Sequence, residues 1–319
     1  MRIFSDAHYE FIARRKTAYF FSAAVVLIGI GAMVANTFFI GSWQNYGVDF
    51  TGGALVQVQF SEPMTAGELR NAMGGEGAPT ITRFGEDNEF TIRAPIFEDA
   101  DVDAVRNTIT DDLTEAFGAG SFEVVRTELV GPKIGGELQQ KAAFAIVFSF
   151  FLTLIYLAIR FEFRFGVAAV IATVHDILIT LGFLALFRVE IALPTVAAVL
   201  TIVGYSLNDT IVVFDRIREN LGKRGGRKED PAALVNHSIN ETLPRTVLTS
   251  GTTLAVLLAL LILGGAVIRD FTLVLILGIV IGTYSSIFVA SPALLEIQKR
   301  FGTGDSKERK KRRSSPVPV

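Results

Sequence analysis

The sequence has no cysteine and only three histidines among its 319 residues. Without cysteine the chain can form no disulfide, carry out no thiol chemistry and build no thiolate metal site. The three histidines are scattered along the sequence, so they form no metal-binding pattern. The long polar segment at 41–140 also lacks a nucleophile–base pair. We therefore expect a protein that is not an enzyme and that holds no metal and no cofactor.

Long stretches of the sequence also lack charge, and they indicate the class of protein. Half of the residues are hydrophobic and the mean hydropathy is +0.44, which is high for a soluble protein. Each of six apolar runs approaches the roughly 20 residues that cross a membrane as a helix. The alternative is six buried helices of one large soluble core, and so many runs in one chain argue against it. The runs are Thr17–Ile40, Ala142–Ile159, Gly166–Phe187, Ile191–Phe214, Thr246–Val267 and Phe271–Leu295.

The first run is predicted to be a retained membrane helix. Its 24 residues exceed the apolar core of a signal peptide, and no small-x-small cleavage site follows it. Basic residues occur before this run, between the second and third runs, after the fourth run and in the tail. By the positive-inside rule both termini are then cytoplasmic and 41–140 lies outside. That segment is strongly anionic, with 6 basic and 17 acidic residues.

These signals divide the chain into five predicted parts. They are a cytoplasmic N-terminus at 1–16, a transmembrane helix at 17–40, an extracytoplasmic domain at 41–140, transmembrane helices 2–6 at 141–295 with a cytoplasmic loop at 215–245, and a basic cytoplasmic tail at 296–319. The tail contains "KERKKRR". A role in orientation or contact with membrane lipids is favoured for it over binding of nucleic acid.

The external segment is long enough for one small domain. Alternating apolar residues predict strands at 54–60, 78–85, 88–95 and 122–131, with a turn at Glu86–Asp87. Thr65, followed three residues later by Glu68, predicts a capped helix at 64–73, and an amphipathic pattern predicts another at 98–118. The order βαββαβ is ferredoxin-like. The predicted fold class is a polytopic α-helical membrane protein with six transmembrane helices and a small α+β ferredoxin-like extracytoplasmic domain.

Carboxylates inside apolar runs are the main candidates for function, because a charge in the membrane is costly and usually marks a functional path. Asp209 follows Asn208 in the fourth run, roughly 7 Å along the helix axis from its charged end. It is either an interfacial acid or a proton carrier. We favour the carrier, because Arg245 opens the next run at a similar depth and can pair with Asp209 if the two helices are neighbours.

Two further features of the apolar runs are candidates for function or packing. His175 and Asp176 form a second ionisable pair, and Asp176 is either in the proton path or a polar packing contact. Gly278 and Gly282 belong to a stripe of small residues at intervals of four, which predicts a close-packing seam. The seam lies either within the chain or against a second chain.

A glycine-rich motif, "GVDFTGG" at 47–53, stands just before the first strand. Gly52 and Gly53 permit positive φ or a close backbone approach. The motif is either a simple turn or, with Phe50 and Thr51, a hinge or docking element between the first membrane helix and the external domain.

Five motifs in order carry a resemblance over most of the chain: "GVDFTGG", "VGPKIGGEL" (130–138), "RFEFRFGVAAVIATVHD" (160–176), "VGYSLNDTIVVFDRIREN" (203–220) and "LPRTVLTSGTTL" (243–254). In combination they resemble the SecF branch of the SecD/SecF family of bacterial protein-export membrane proteins. The resemblance implies membership of the resistance-nodulation-division superfamily. It also implies a cell inner-membrane location, with 41–140 in the periplasm.

The resemblance also implies a function and partners. The function is to promote late-stage translocation and release of preprotein, driven by the proton-motive force, with SecD as a similar six-helix half. The SecYEG channel, the translocating preprotein and membrane lipids are implied partners, and YajC is a further candidate. The roles of Asp209 and Arg245 in the proton path agree with this. Two alternatives are half of a small-molecule or lipid exporter of that superfamily, and a non-transporting assembly or receptor protein.

Overall fold

A computed structural model describes residues 8–74, 79–85, 88–94, 102–160, 162–223, 230–265 and 268–301. Three predicted features lie outside the described residues. They are the turn at Glu86–Asp87, the basic residues at 224–228 and the tail beyond Phe301.

The elements follow one another along the chain with short connections. A 3-10 turn at Ile12–Arg14 precedes them, and a π-helical turn at Ser286–Ala290 links the last two helices. They are α1 (Arg15–Ile40), β1 (Asn45–Tyr46), α2 (Val48–Thr51), β2 (Gly53–Phe60), α3 (Ala66–Ala72), β3 (Thr80–Arg83), β4 (Glu89–Ala94), α4 (Val102–Phe117), β5 (Phe122–Val130), α5 (Pro132–Arg160), α6 (Phe163–Phe187), β6 (Glu190–Ile191), α7 (Leu193–Gly222), α8 (Pro231–Leu263), α9 (Arg269–Ser285) and α10 (Ser291–Phe301).

The predicted fold class is confirmed. Within the described residues, six helices are long and apolar enough to cross a membrane, and a small α+β domain lies between the first two of them. Its sheet has the order β3-β4-β2-β5 with all neighbours antiparallel, which is the ferredoxin-like arrangement. Apolar residues of β2 and β4 pack against Leu69 of α3 and Leu113 of α4. Thr65 and Glu68 form the predicted capping box of α3.

The membrane helices extend well beyond the apolar runs. The segment predicted as a loop at 215–245 is mostly helical, since α7 continues to Gly222 and α8 begins at Pro231. Charged residues on the outside of a helix end an apolar run without ending the helix, and the cytoplasmic position of this segment stays a prediction. In the same way α5 begins at Pro132, inside the segment assigned to the external domain.

The centre of the membrane part is formed by α6, α7 and α9. About half of the most apolar stretch of each is buried: 50% in α6, 50% in α7, and 56% in the span Arg269–Arg300, which begins with α9. Two glycine contacts set the close spacing of helices. A Cβ on Gly29 of α1 would come within 2.7 Å of Gly182 Cα on α6, and one on Gly278 of α9 would come within 2.1 Å of Ile202 Cγ1 on α7. The central helices carry the polar groups described next.

Candidate functional site: two buried carboxylates and two adjacent serines

Asp209 on α7 is buried and is held by hydroxyl groups from two other helices. Thr246 of α8 donates to Asp209 Oδ1 at 2.8 Å, and Ser286 donates to Oδ2 at 2.8 Å. All three residues are at most 6% exposed. Hydrogen bonds to a charged carboxylate are the strong ones, so this arrangement can stabilise the charge away from water.

Asp176 on α6 is buried in a similar arrangement. Its Oδ2 accepts from Ser206 of α7 and from Ser285, the latter at 2.8 Å. Its Oδ1 lies 2.9 Å from Nδ1 of the neighbouring His175. Both carboxylates therefore face hydroxyl donors rather than lipid.

The two carboxylates are linked by successive residues of one helix. Ser285 ends α9 and contacts Asp176, whereas Ser286 begins the π-helical turn and contacts Asp209. Each serine has a second acceptor on its own helix. Ser285 Oγ lies 3.1 Å from Gly282 O, and Ser286 Oγ lies 2.9 Å from Thr283 O. A serine can therefore turn to the helix when its carboxylate takes a proton, and its single proton keeps an acceptor. Single π-helical turns often mark functional positions.

Arg245 and Asn208 lie outside this cluster. Arg245 is exposed on the surface of α8, and among the described residues it forms no ion pair. The direct Arg245–Asp209 pair expected from the sequence is thus absent from this structure. Successive helical residues point about 100° apart, and here Thr246 rather than Arg245 faces α7. Asn208 is likewise exposed, on the outer side of α7.

The glycine stripe of α9 faces inward. Gly278 and Gly282 contact α7, where a Cβ on Gly282 would lie 3.0 Å from Ser206 Cβ. The structure thus places the seam within the chain. Close approach of α9 to α7 brings Ser285 and Ser286 to the two carboxylates.

The glycine-rich motif lies against the ends of the membrane helices that adjoin the small α+β domain. Phe50 is buried among residues of α6, α7 and α9, and Thr51 ends the short helix α2. Gly52 and Gly53 have φ of 71° and 123°, which a side chain would strain. A Cβ on Gly135 of α5 would lie 2.8 Å from Gly52 N. A side chain at position 135 would therefore force the backbone of the motif to move.

A further contact joins the motif to α7. Asp49 Oδ2 accepts from Leu193 N, the first residue of that helix, at 2.8 Å. The two-residue strands β1 and β6 pair in parallel. The backbone N–H of Gly47, which follows β1, donates a hydrogen bond to Ile191 O at 2.9 Å. These contacts join the motif to the helix that carries Asp209.

Four hydroxyl residues of the cluster were not predicted as site residues: Ser206, Thr246, Ser285 and Ser286. In the sequence, the only sign of such a residue is a serine or threonine inside an apolar run. Hydroxyl residues are common where membrane helices pack, so this sign is weak. Ser206 stands three residues before Asp209, on the same side of the helix, and offers the clearest case.

Comparison with known proteins shows which family has this architecture. The family model described as "Protein export membrane protein SecD/SecF, C-terminal" matches residues 109–300, and the "SecD/SecF GG Motif" matches residues 45–64. The protein translocase subunit SecF of Gemmatimonas aurantiaca is 46% identical, over 94% of this chain and 90% of that one. This chain belongs to the SecF branch of the SecD/SecF family. The SecF subunit of Vibrio alginolyticus is 43% identical over 90% of this SecF-family chain and 89% of its own length.

Solved structures agree. The crystal structure of SecDF from Thermus thermophilus, a translocon-associated membrane protein, superposes with a TM-score of 0.80 at 39% identity. The match covers 93% of this chain and 39% of that longer chain. A second SecDF structure, in a super-membrane-facing form, gives a TM-score of 0.66 over 96% of this chain and 40% of its own. This SecF-family chain therefore spans about two fifths of the SecDF chain.

Proposed function

We propose that this chain is the SecF subunit of a protein translocase, which acts with SecD and uses the proton-motive force to promote late translocation and release of preprotein. One observation carries the proposal. Two carboxylates, Asp176 and Asp209, are buried between membrane helices and share adjacent serines whose hydroxyls have alternative acceptors. A buried group of this kind can change charge without leaving a polar atom unsatisfied.

The energy available fits such a role. One proton that crosses the membrane releases about 2.3 kcal/mol per 100 mV of potential. Protonation of Asp209 removes the charge that holds Thr246 and Ser286, so α8 and α9 can shift against α7. The outer end of α7 contacts the glycine-rich motif through Asp49. In this proposal a shift of α7 is transmitted to the external domain, with Phe50, Thr51, Gly52 and Gly53 as the docking element.

The surface of the membrane part supports SecD as a partner. Exposed side chains of α1 and α5 are apolar, such as Phe20, Phe38 and Phe144, as expected for contact with lipid. The exposed side of α7 and α8 is different, because it carries polar residues inside the membrane part. They are Thr201, Asn208, Arg245, Thr249 and Thr252.

An arginine facing lipid costs about 2.5–3.5 kcal/mol or more at the centre of a membrane helix, and less near the end of an apolar run, where Arg245 lies. That cost is avoided if a second six-helix membrane protein packs against this side of α7 and α8. We assign this side to SecD. Arg245 would then find its carboxylate on SecD or reach Asp209 in another state. SecYEG, YajC and preprotein are further proposed partners, without a surface assigned to them.

The proposed orientation follows the charges. Basic residues at one end of the bundle include Arg15 and Arg160, which pair with Glu296 at 3.5 Å and Asp215 at 3.1 Å. The positive-inside rule puts this end in the cytoplasm and the anionic domain in the periplasm. A role as half of a small-molecule exporter is not favoured, since the relatives that match over nine tenths of their length are SecF subunits.

The test is the substitution Asp209→Asn. Asn keeps the size of the side chain but cannot bind and release a proton near neutral pH. The variant should fold and bind SecD, yet lose the gradient-dependent part of preprotein release from inverted membrane vesicles. Asp215→Asn is the matched control, because Asp215 is an exposed acid six residues further along α7. A full gradient response in Asp209→Asn would reject Asp209 as the carrier and leave Asp176 as the leading candidate.

A further inference from the structure

A continuous chain of polar contacts leads from Asp176 to the first turn of α1. Nδ1 of His175 lies 2.9 Å from Asp176 Oδ1, and its Nε2 lies 3.0 Å from Ser22 Oγ on α1. Ser22 Oγ lies 3.1 Å from the hydroxyl oxygen of Tyr284 on α9, and that oxygen lies 3.0 Å from Ala18 O. The first three residues are at most 9% exposed, whereas Tyr284 is partly exposed. The chain thus begins at a buried acid and ends at a more accessible side chain.

The far end of this chain lies near the charged end of α1. Ser22 stands seven residues after Arg15, the first residue of α1, which is about 10.5 Å along the helix axis. Ala18 stands only three residues after Arg15, or about 4.5 Å. Arg15 pairs with Glu296 of α10 at 3.5 Å, and Tyr19 interacts electrostatically with both charges. The contacts therefore lead from the buried acid to within one helical turn of a charged end of the bundle.

Every side chain between the two ends can both donate and accept, so the chain has two complete sets of hydrogen bonds. With Asp176 ionised, Nδ1–H donates to the carboxylate, Ser22 donates to Nε2 and Tyr284 donates to Ser22. With Asp176 protonated, the acid donates to Nδ1 and Nε2–H donates to Ser22. Ser22 then donates to Tyr284, whose own proton points to Ala18 O. Both sets fit the same distances between heavy atoms.

The two sets differ by one proton. In passing from the first to the second, Tyr284 gives its proton to Ser22, Ser22 gives its proton to Nε2, and the proton on Nδ1 moves to Asp176. The tyrosine oxygen takes one proton from water, so one proton enters and one carboxylate is neutralised. We propose that His175, Ser22 and Tyr284 form a proton wire that loads and unloads Asp176 from the charged end of α1. The wire rests on the proposed function for its use in transport.

The wire reaches Asp176 without passing the other buried acid. Its contact is with Oδ1, whereas Oδ2 of Asp176 accepts from Ser206 and Ser285. Asp209 is bound by Ser286, the residue after Ser285, on that second side. The two oxygens of Asp176 therefore face two different directions of proton movement. One leads along the wire to α1, and the other leads to the serines shared with Asp209.

The first experiment reads the tautomer of His175 in the full-length chain in lipid bilayers. His8→Gln and His237→Gln replace two exposed histidines and leave His175 as the single one. ¹⁵N nuclear magnetic resonance of labelled histidine then shows which ring nitrogen carries the proton. We expect a neutral ring throughout the titration of Asp176, with the proton on Nδ1 when the acid is ionised and on Nε2 when it is protonated. One tautomer throughout, or an imidazolium, would overturn the proposal.

The second experiment measures how fast Asp176 takes up a proton. Time-resolved infrared spectroscopy after a light-induced drop in pH follows the carboxyl band that Asp176→Asn removes and Asp209→Asn keeps. Tyr284→Phe keeps the ring that stacks on His175 but removes the hydroxyl. Protonation should then slow by about tenfold or more, because a positioned proton donor typically contributes about 10²–10⁴-fold. The final extent of protonation should stay the same.

Three further variants test the wire against a role in packing. Ser22→Ala interrupts it one step nearer to the acid and should slow protonation similarly, whereas Ser22→Thr keeps a hydroxyl and should restore much of the rate. Tyr156→Phe is the matched control, because it removes an exposed tyrosine hydroxyl of α5, and it should keep the wild-type rate. Equal rates in Tyr284→Phe and Tyr156→Phe, or a changed final extent at an unchanged rate, would overturn the proposal.

Both experiments are independent of transport. They need neither a gradient nor preprotein, since they observe only His175 and Asp176 in the chain itself. Failure of the wire is therefore separable from failure of the proposed function, which the release assay measures.

Discussion

At the scale of single residues, Ser286 determines how Asp209 can hold its charge. Ser286→Ala removes one of the two hydroxyl donors to Asp209, and hydrogen bonds to a charged group are worth about 1.5–3 kcal/mol. Loss of this donor leaves Thr246 as the hydroxyl that holds the charged carboxylate of Asp209. Gradient-dependent preprotein release should fall strongly.

Two further variants separate chemistry from packing. Ser286→Thr retains a hydroxyl and should retain most of the release activity. Thr37→Ala removes an exposed hydroxyl of α1 that bonds to its own helix, and it should behave like the wild type. If Ser286→Ala releases preprotein as fast as Thr37→Ala, the Ser286 hydroxyl is not part of the proton path.

The sequence predicts the acids of this site but not their partners. Asp176 and Asp209 stand out because carboxylates are rare in apolar runs. Their donors depend on how each helix is rotated about its axis, which a uniformly apolar run does not reveal. Arg245 and Thr246 illustrate this, since a difference of one residue decides which of them faces Asp209.

At the scale of elements, the contact of α9 with α7 sets the distance between serines and carboxylates. Gly278→Ala would place a methyl group 2.1 Å from Ile202 Cγ1, so the helices must separate or Ile202 must leave its position. Overpacking of this kind costs about 1–3 kcal/mol. We expect a lower unfolding temperature in detergent and weaker gradient-dependent release.

The control for this substitution lies on another membrane helix. A methyl group added at Gly31 of α1 would meet no packed neighbour within 4 Å, so Gly31→Ala should leave both stability and release unchanged. Equal stability of Gly278→Ala and Gly31→Ala would contradict a close-packed seam.

Elements with strong local signals are predictable, and those that depend on distant pairing are not. Alternation identifies β2 and β4, and the capping box identifies α3. The start of α8 also has a local signal, because Asp230 caps Ala233 N and Pro231 opens the helix. The pair β1–β6 has none, since two residues at 45–46 meet two at 190–191.

At the scale of the whole molecule, the proposed topology places the two ends of the bundle in different compartments. The chain contains no cysteine, so single cysteines can be introduced without background. Glu115→Cys, exposed on α4, should react with an impermeant maleimide in cells permeabilised only at the outer membrane. Ala233→Cys, exposed at the start of α8, should not react until the inner membrane is opened. The reverse pattern would refute the orientation.

Charged side chains also join the small α+β domain to the membrane helices. Arg93 of β4 donates to Glu190, which lies in the connection between α6 and α7. Burial lowers the pKa of the Arg93 guanidinium below its ordinary value, and the carboxylates of Asp270 and Glu128 oppose that shift. Asp270 lies at the start of α9. One arginine of the sheet therefore interacts with the connection between α6 and α7 and with the start of α9, three helices that contribute to the carboxylate–serine cluster.

Loss of this arginine should loosen the external domain on the bundle. Arg93→Met keeps most of the side-chain length and removes a charged hydrogen bond worth about 1.5–3 kcal/mol. Nitroxides at Phe39 of α1 and Glu115 of α4, both exposed, give the distance between bundle and domain by double electron–electron resonance. We expect a narrow distribution in the wild type and a broad one in Arg93→Met. Arg93→Lys should restore much of the order, because it keeps the charge.

Two controls separate loosening of the domain on the bundle from a general loss of structure. Arg126→Met, which removes an arginine paired within β5, should leave the distribution narrow, because that ion pair lies inside one strand. A second label pair inside the domain, at Gln59 and Glu115, checks that the domain stays folded. A distribution as narrow in Arg93→Met as in Arg126→Met would show that the ion pair with Glu190 does not position the domain.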